Sequence, residues 1–558
     1  MLVVATAVGA LIYSNTLNVG FIFDGYNQIY ASAHVRSLDS VFHDAPLYRV
    51  LPYFSFYLNY LWTGYEPWSW HVVSIGFHIA TSVAVYAFVR LLLGAPALDG
   101  TAAQRNSRVF AFCSSTIFLC HPIQTSAVTY LYQRMAVMAA FFYMVAIVLY
   151  LMGKLYSRRF YVLAFIAAVG AFLSKENAYT LPLMLLAIEF LFFAGRDKRL
   201  RLLGISLVTA TICFAVYLAT HYRTVLSVPE STFQDAIHLS PWTYFLTQTR
   251  VWMTYLRLAF FPIHQTFDYD FPLLSSIADS RVLLPIGFMG ALAFVTIRSS
   301  VRHRLLSFAV VWFFLTLAIE SSFIPIKDVI FEHRLYLPLV GFAIFVPALL
   351  FEILKNPRTV LIGSLAACAL LGVATYKRNA VWTDEIAFWE DNIRKAPNKQ
   401  RAYSVLGSIY LRQGRSLKAI DYFKKAVERA PRAGLLHYQL ARAYGTIGDM
   451  QRESEHYLLA AKHGTDNAVA LNGIGTYFLR LKKLDSALEF FLLSKKFGGN
   501  AETHNNIGLV YYLQGDYMRA ELYYKKALET EPGYKVAEDN LKILQTHRNK
   551  PVKLEIVS

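Results

Sequence analysis

Apolar residues are gathered into long runs over the first two thirds of the chain, whereas residues 377–558 have an ordinary soluble pattern. A helix that crosses a bilayer needs about 20 predominantly apolar residues. Eleven candidate spans follow from this criterion, although several are short: 1–16, 70–93, 109–126, 135–153, 160–174, 177–194, 202–221, 282–297, 305–324, 335–354 and 359–376. We therefore predict an all-α protein in which a polytopic transmembrane bundle, residues 1–376, precedes a soluble domain.

The soluble part repeats itself every 34 residues, and once after 33. A pair of an aliphatic and a small residue recurs at 406–407, 440–441, 474–475 and 507–508, and an aromatic residue follows three positions later. This is the pattern of tetratricopeptide repeats, in which paired helices stack into a solenoid. We predict a solenoid over 400–548 with a capping helix near 535–547, a linker or half-repeat at 377–399, and a tail at 549–558.

Positive charge predicts the sidedness of the bundle. The chain has a formal net charge of +17, and many Lys and Arg residues lie in the turns between alternate pairs of spans. Such turns face the cytoplasm, so the loops 17–69, 127–134, 175–176, 222–281 and 325–334 and everything from 377 lie outside. The amphipathic stretch 241–262 is assigned to an external interfacial helix or a re-entrant hairpin, because a further span would place the basic turn at 298–304 outside.

This topology indicates a multi-pass protein of a plasma membrane. In a bacterium with two membranes it is the inner membrane, with periplasmic repeats, and in a eukaryote it is the endoplasmic reticulum membrane. The basic charge is explained by orientation in the membrane, so no nucleic-acid partner is expected. The four cysteines lie in apolar runs without a CxxC partner, so neither a metal site nor a disulfide framework is expected.

Polar motifs interrupt the apolar pattern at one predicted depth, on the outer side. The motifs are Asp24 after the first span, His121-Pro122, Tyr132-Gln133-Arg134, Lys175-Glu176 and Glu332-His333-Arg334. Ionisable residues at the lip of a helix bundle favour a polar cavity. Cations near the membrane boundary suit a lipid-linked phosphate, which makes Arg134, Lys175 and Arg334 candidate phosphate ligands.

Each motif also has a purely structural interpretation. Asp24 is equally compatible with capping the next helix, Lys175 and Glu176 with a neutralising pair, and His121 with a satisfied buried histidine.

Taken together, these motifs resemble those of type C membrane glycosyltransferases, and among them the transmembrane O-mannosyltransferases that carry tetratricopeptide repeats. The residues that carry the resemblance are Phe23-Asp24, Arg49 to Tyr60, Trp70-His71, His121-Pro122, Tyr132-Gln133-Arg134, Ser174-Lys175-Glu176 and Glu332 to Pro338. The resemblance implies a polyprenyl-phosphate sugar donor, protein hydroxyls as acceptors, and a carboxylate in the first external loop, which maps onto Asp24. The family often has a second acid next to it, where this chain has Gly25, so a divalent metal is not indicated here.

The mechanism implied is an inverting transfer of a hexose, with mannose as the family's sugar. Asp24 is the candidate general base for a Ser or Thr hydroxyl, a role that contributes about 10²–10⁴-fold. Prearranged cations stabilise the charge left on the donor phosphate. The candidate supporting residues are Arg49, His121, Gln133, Glu176, Glu332 and His333.

The repeats are expected to bind the acceptor protein and so raise its local concentration. Two alternatives remain: transfer of a preassembled glycan from a lipid diphosphate, and a non-enzymatic membrane-anchored repeat scaffold. A transporter is disfavoured, because the sequence has no inverted-repeat symmetry and no charge pathway through the membrane.

Overall fold

The computed structural model describes residues 1–193, 239–326 and 328–548, except Ala31, Ala33, His34 and Asp44. All regular secondary structure in these residues is helical, which confirms the predicted all-α fold. The described residues form two compact units, of which the first ends at Ala396 and the second begins at Pro397. The predicted span 202–221 and the tail 549–558 lie outside the described residues.

The first unit is a bundle in which α4 contacts α1, α3, α6 and α8. Its α-helices in the described ranges are α1 (Leu2–Ile12), α2 (Leu38–His43), α3 (Val50–Thr63), α4 (Pro67–Leu92), α5 (Ala102–Arg105), α6 (Ser107–Cys120), α7 (Thr125–Val128), α8 (Arg134–Leu155), α9 (Phe160–Phe172), α10 (Leu181–Ile188), α11 (Pro241–Phe260), α12 (Ser280–Ser299), α13 (Arg304–Leu317), α14 (Leu339–Leu354), α15 (Pro357–Ala380) and α16 (Glu385–Lys395).

Five helical segments are long and apolar enough to cross a membrane, by length and composition: Pro67–Leu92, Leu131–Leu155, Glu176–Phe193, Ser280–Ser299 and Pro357–Ala380. Five shorter apolar helices accompany them: Leu2–Ile12, Ser107–Cys120, Phe160–Phe172, Arg304–Leu317 and Leu339–Leu354. Each predicted span other than 202–221 overlaps one of these ten segments. Together they fit a multi-pass membrane protein.

The first predicted loop, 17–69, contains more regular structure than its sequence suggests. Helices α2 and α3 lie within it. Pro52 obscures α3 in the sequence, but it is the third residue of that helix, where a missing N–H costs no intrahelical hydrogen bond. The loop is thus a partly helical segment folded against the bundle.

Helix α11 resolves the two interpretations left open for 241–262. It is one continuous helix of 20 residues, so the segment is not a re-entrant hairpin. Ser240 caps it, because its side-chain oxygen accepts a hydrogen bond from the Thr243 N–H over 3.0 Å. The segment is not among those apolar enough to cross a membrane in the described ranges.

The second unit consists of helix pairs followed by a final helix, as predicted for the solenoid. Its α-helices in the described residues are α17 (Gln400–Arg412), α18 (Ser416–Arg429), α19 (Gly434–Thr446), α20 (Met450–His463), α21 (Ala468–Arg480), α22 (Leu484–Lys496), α23 (Ala501–Leu513), α24 (Tyr517–Thr530) and α25 (Lys535–Arg548). Helix α25 occupies the place predicted for the capping helix.

The recurring small and aromatic residues pack against each other inside each repeat. A Cβ atom added to Gly475 would lie 2.6 Å from the ring of Phe491, closer than real Cβ contacts come. The equivalent distances are 2.6 Å from Gly407 to Phe423 and 2.8 Å from Gly508 to Tyr524. Only glycine therefore lets the two helices of these repeats approach around the aromatic ring.

Candidate active site

Asp24 follows a residue with an unusual backbone conformation. Phe23 has a φ of 53°, in the left-handed region that non-glycine residues seldom adopt. Its ring contacts Phe267 and Trp389, with centroid distances of 5.4 and 6.0 Å. Such conformations persist only where surrounding packing holds them, and they cluster at functional sites. The packing of Phe23 thus constrains the position of Asp24.

Tyr130 binds the Asp24 carboxylate directly. Its hydroxyl group donates a hydrogen bond to Asp24 Oδ2 over 3.0 Å. Burial, followed by the negative charge of Asp24, raises the pKa of Tyr130 well above its usual value. The phenol is therefore protonated at neutral pH, and its hydrogen bond orients one carboxylate oxygen.

Arg49 is connected to Tyr130 through a second tyrosine, Tyr132. The rings of Tyr130 and Tyr132 have their centroids 6.4 Å apart. Arg49 donates from Nη1 to the Tyr132 hydroxyl over 3.2 Å and from Nη2 to Glu176 Oε1 over 3.4 Å. The structure thus brings residues from the first loop, the 130–134 motif and the 175–176 motif into one connected group.

Lys175 pairs with an acid that sequence reasoning misses. Its Nζ lies 2.8 Å from Glu320 Oε1, and the two side chains are only 4% and 5% exposed. The hydrophobic pattern places Glu320 inside the span 305–324, but α13 ends at Leu317 and Glu320 lies in the turn beyond it. An acid within an apparent span is costly in lipid, and this was the available signal.

Several buried polar atoms in this group have no hydrogen-bond partner among the described residues: Arg49 Nε, Glu176 Oε2, Glu320 Oε2 and His333 Nδ1. Most buried polar groups in proteins are paired, and each unpaired one costs about 1–3 kcal/mol. Unsatisfied donors and acceptors gathered in one place are expected where a polar ligand binds. These atoms therefore mark the candidate ligand-binding part of the site.

His333 lies among the cations of the group. Burial, followed by the positive charges of Lys175, Arg334 and Arg49, lowers the pKa of His333 well below its usual value. The imidazole is therefore neutral at pH 7. An anion that offset these positive charges would raise the pKa of His333.

Arg334 stabilises the loop in which it lies. Its guanidinium donates to the carbonyl oxygens of Asp328 over 2.7 Å, Val329 over 3.1 Å and Glu320 over 3.4 Å. The side chain is buried. Arg334 thus contributes positive charge near Lys175, while these hydrogen bonds hold the 320–334 loop.

Helix α11 also binds residues of this loop. Tyr244 donates to the Glu320 carbonyl over 2.7 Å, and Gln248 donates to the Val329 carbonyl over 2.8 Å. About two turns further along the helix, the Tyr255 hydroxyl donates to the Phe331 carbonyl over 3.0 Å. The polar face of α11 therefore positions the segment that carries Glu320 and His333.

Arg134 makes its hydrogen bonds to a different set of residues. It is fully buried and donates to Ser74 Oγ over 3.1 Å and to the Trp70 carbonyl over 2.9 Å. Its guanidinium also lies 4.9 Å from the centroid of Phe56. These contacts join α8 to α3 and α4, and no hydrogen bond or ion pair in the described part of the chain joins Arg134 to Lys175 or Arg49.

His121 and Glu332 also have structural contacts. His121 Nε2 lies 3.0 Å from the Ala259 carbonyl, which fits the interpretation as a satisfied buried histidine. Glu332 accepts hydrogen bonds at Oε1 from the Thr266 N–H and the Tyr269 hydroxyl, both over 2.7 Å. Gln133 is buried, and its Oε1 has no hydrogen-bond partner in the described part of the chain.

Helix α16, predicted as part of the linker, packs beneath the site. Asn392 Oδ1 accepts hydrogen bonds from Thr266 Oγ1, Phe267 N and Asp268 N over 3.0–3.1 Å. The ring of Phe267 meets that of Trp389 on the same helix at 5.8 Å. Helix α16 therefore supports the aromatic residue on which Phe23 rests.

No group of three or more His, Cys, Asp or Glu residues suited to a metal ion occurs in residues 1–193, 239–326 or 328–548.

Comparison with known proteins finds relatives that match most of the chain and family models that match the repeats. Family models of the tetratricopeptide repeat match residues 399–466 and 501–534. Protein O-mannosyl-transferase F38B6.6 of Caenorhabditis elegans is 24% identical over 69% of this chain and 54% of its own length. Protein O-mannosyl-transferase TMTC3 of Mus musculus is 25% identical over 81% and 54%, and Tmtc1 of Drosophila melanogaster is 24% identical over 78% and 62%.

The resemblance to the O-mannosyltransferases with tetratricopeptide repeats is confirmed. The chain spans about half the length of the curated relatives it matches. Among solved structures, PilF of Pseudomonas aeruginosa is 23% identical with a TM-score of 0.25, covering 27% of this chain and 69% of PilF. MamA is 26% identical with a TM-score of 0.23, covering 26% of this chain and 86% of MamA.

Proposed function

We propose that this protein is a membrane glycosyltransferase that moves a hexose, mannose in the first instance, from a polyprenyl phosphate to a Ser or Thr hydroxyl of an extracytoplasmic protein. The relatives that match most of the chain are named protein O-mannosyl-transferases. The observation that carries the proposal is the connected group that joins Asp24 in the first loop to Arg49, Glu176 and the buried Lys175–Glu320 pair.

Asp24 is the general base in this proposal. Tyr130 holds one of its carboxylate oxygens. As the acceptor hydroxyl attacks the anomeric carbon, Asp24 takes its proton and the bond from that carbon to the phosphate oxygen breaks. Direct displacement by a single base without a covalent nucleophile inverts the anomeric centre.

Lys175 and Arg49 are the proposed ligands of the donor phosphate. The N–H groups of Arg134 and many of those of Arg334 are engaged by other protein groups. Arg49 retains a buried Nε without a partner among the described residues, beside its bond to Glu176. Fixed cations stabilise the charge that develops on the leaving phosphate without reorganisation. Arg334 adds positive charge near these two ligands, and His333 lies close to all three cations.

The sidedness proposed for this reaction follows the positive-inside rule, with the site and the repeats outside the cytosol. The repeats recruit the acceptor. Because they are part of the same chain as the membrane bundle, a bound acceptor has a higher local concentration at the membrane. The membrane is the inner membrane of a two-membrane bacterium or the endoplasmic reticulum membrane of a eukaryote.

Asp24→Asn tests the proposal, with Gly25→Ala as the matched control. A Cβ at Gly25 would come no closer than 3.6 Å to Phe21, so alanine fits there. Purified protein in detergent is given radiolabelled polyprenyl-phosphate mannose and a Ser/Thr-rich polypeptide. We expect Asp24→Asn to lose about 10²–10⁴-fold in transfer rate and Gly25→Ala to retain it.

Full transfer by Asp24→Asn would refute the assignment of the base. Transfer only from a lipid diphosphate would favour the glycan ligase, and no transfer from either donor would favour the scaffold. A scaffold also tolerates Arg49→Met, whose ion pair with Glu176 is partly exposed, whereas the proposed enzyme loses donor use in this variant.

A further inference from the structure

Two lysine side chains from different repeats approach one tyrosine ring in the second unit. Lys495 Nζ lies 5.3 Å from the centroid of the Tyr523 ring, and Lys526 Nζ lies 5.2 Å from the same centroid. Lys495 lies in the last turn of α22, whereas Tyr523 and Lys526 lie on α24. Because like charges repel, two ammonium groups gathered around one ring favour the binding of an anion.

His504 of α23 lies against the same ring. The ring centroids of His504 and Tyr523 are 6.2 Å apart, and the two planes are inclined by 27°. His504 Nδ1 is buried and has no hydrogen-bond partner among the described residues. Burial, followed by the positive charges of Lys495 and Lys526, lowers the pKa of His504. Both ammonium groups therefore act on the imidazole, and we call Lys495, His504, Tyr523 and Lys526 the dilysine site.

The positive charge of the dilysine site is not neutralised by ion pairs. Neither Lys495 nor Lys526 has a carboxylate within salt-bridge distance in the described part of the chain, whereas the adjacent Lys525 pairs with Glu521 over 2.8 Å. Glu529 is a carboxylate whose charge also acts on His504, in the opposite direction. One carboxylate offsets only one of the two ammonium charges, so the site keeps a net positive charge.

The repeat pattern alone does not account for the dilysine site. The residues one repeat before His504 and Lys526 are Leu471 and Leu493. In the first repeat, the lysine equivalent to Lys526 is Lys425, which pairs with Asp421 over 2.7 Å. The combination therefore belongs to the fourth repeat and its junction with the third, and the packing of a solenoid does not require it.

A phosphate group matches this arrangement better than a carboxylate does. A phosphate monoester carries a charge of about −1.5 to −2 at pH 7 and has three strong acceptor oxygens. It can therefore accept hydrogen bonds from both ammonium groups and from the imidazole at once. Each ammonium group has three N–H donors on a flexible stem, which lets it follow the position of the anion. A carboxylate has a single charge and offsets only one of the lysines.

We propose that the dilysine site binds a phosphate group, carried by a small soluble molecule or by a lipid headgroup. The site lies in the repeat unit and takes no part in the sugar transfer proposed above. A phosphate bound by Lys495, His504 and Lys526 would join α22, α23 and α24. It would thereby stabilise the junction between the third and fourth repeats.

The test measures phosphate binding by the full-length protein in detergent. Inorganic phosphate is the probe, and isothermal titration calorimetry at pH 7 and fixed ionic strength is the measurement. The variant combines Lys495→Gln with Lys526→Gln. The matched control combines Lys496→Gln with Lys525→Gln, which removes the same charge from the neighbouring positions. Lys496 Nζ lies near the ring of Phe497, at 5.8 Å from its centroid, and not near Tyr523.

We expect the unaltered protein to bind phosphate with a Kd of about 1 mM or tighter, because charged hydrogen bonds contribute more than neutral ones. Acetate should bind at least about tenfold more weakly. The Lys495/Lys526 variant should lose about tenfold or more in phosphate affinity, and the Lys496/Lys525 variant should stay within about threefold of the unaltered protein.

Equal losses in the two double variants would overturn the proposal, because they would assign the binding to diffuse positive charge. Equal affinities for acetate and phosphate would overturn it as well. Thermal unfolding in the absence of phosphate checks that both variants fold. If the Lys495/Lys526 variant is unfolded, the comparison of acetate with phosphate on the unaltered protein decides.

A second arm identifies the source of the phosphate. The protein is placed in nanodiscs of phosphatidylcholine, with or without added phosphatidic acid, and titrated with inorganic phosphate. If the headgroup is the natural ligand, phosphatidic acid prevents the binding of added phosphate. If a soluble molecule is the ligand, the binding is the same in both discs. Asp24→Asn should bind phosphate normally, so a failure of the proposed transfer leaves the dilysine site unaffected.

Discussion

Replacing Glu320 with glutamine leaves Lys175 buried without its counter-ion. The pair is 2.8 Å long and its side chains are 4% and 5% exposed, so solvent does not replace the lost charge. Removing one member of a buried pair costs about 3–5 kcal/mol. Because Glu176 lies close enough for the charge of Lys175 to act on it, we expect a value near the lower end, about 3 kcal/mol.

The measurement is a double-mutant cycle of Glu320→Gln and Lys175→Met, read as the free energy of unfolding in detergent. The combined variant should be more stable than Glu320→Gln alone, because it removes the uncompensated charge. The control is Asp421→Asn, which breaks a Lys425–Asp421 pair of 2.7 Å whose side chains are 44% and 58% exposed. Exposed pairs contribute only about 0–1 kcal/mol.

The reasoning is refuted if Glu320→Gln costs no more than Asp421→Asn, or if the two substitutions of the cycle are simply additive. Either result would mean that Lys175 finds another partner, and that its charge is not held in place for a donor phosphate.

Two further predictions concern other parts of the fold. Asn392→Ala removes the acceptor of three hydrogen bonds donated by residues 266–268. Because each unpaired buried group costs about 1–3 kcal/mol, the substitution should destabilise the first unit and lower transfer. Asn392→Asp keeps an acceptor, so it should lower the thermal unfolding temperature by less. In the second unit His437 Nδ1 lies 3.1 Å from His456 Nδ1, and its ring stacks on His463 at 5.5 Å. Burial and then His437 lower the pKa of His456, so the unfolded state binds more protons as the pH falls below about 6.5. Stability is therefore lost from pH 7 towards pH 5, and His456→Gln should weaken that loss in hydrogen exchange of α19 and α20; an equal loss in the variant contradicts this explanation.

The long-period features of the chain were predictable from its sequence. Apolar runs and the 34-residue repeat depend on local periodicity, so the transmembrane helices, the solenoid and α25 follow from pattern alone. Helix α3 was missed because Pro52 and its polar aromatic residues imitate a loop. Length alone did not separate a hairpin from the continuous helix α11.

The site was predictable only in part, because contacts between distant residues leave no periodic signal. Asp24, Lys175, Glu176 and His333 stood out as polar residues beside apolar runs, but the contacts of Asp24 with Tyr130 and of Lys175 with Glu320 did not. Arg134 illustrates the opposite case, since a conspicuous cation in a motif proved to join three helices. Charge marks candidate residues, whereas burial and hydrogen-bond partners decide what each one does.

The aromatic cluster around Phe267 has a consequence for how the membrane part can be isolated. Phe23, beside the proposed base, shares that ring with Trp389 of α16, which follows the last apolar helix of the chain. A polypeptide cut after residue 376, where the last predicted span ends, would lack Trp389. The ring of Phe23 in the first loop would then lose one of its packing partners. The smallest piece that keeps the first compact unit whole therefore reaches Ala396, twenty residues into sequence that looks soluble.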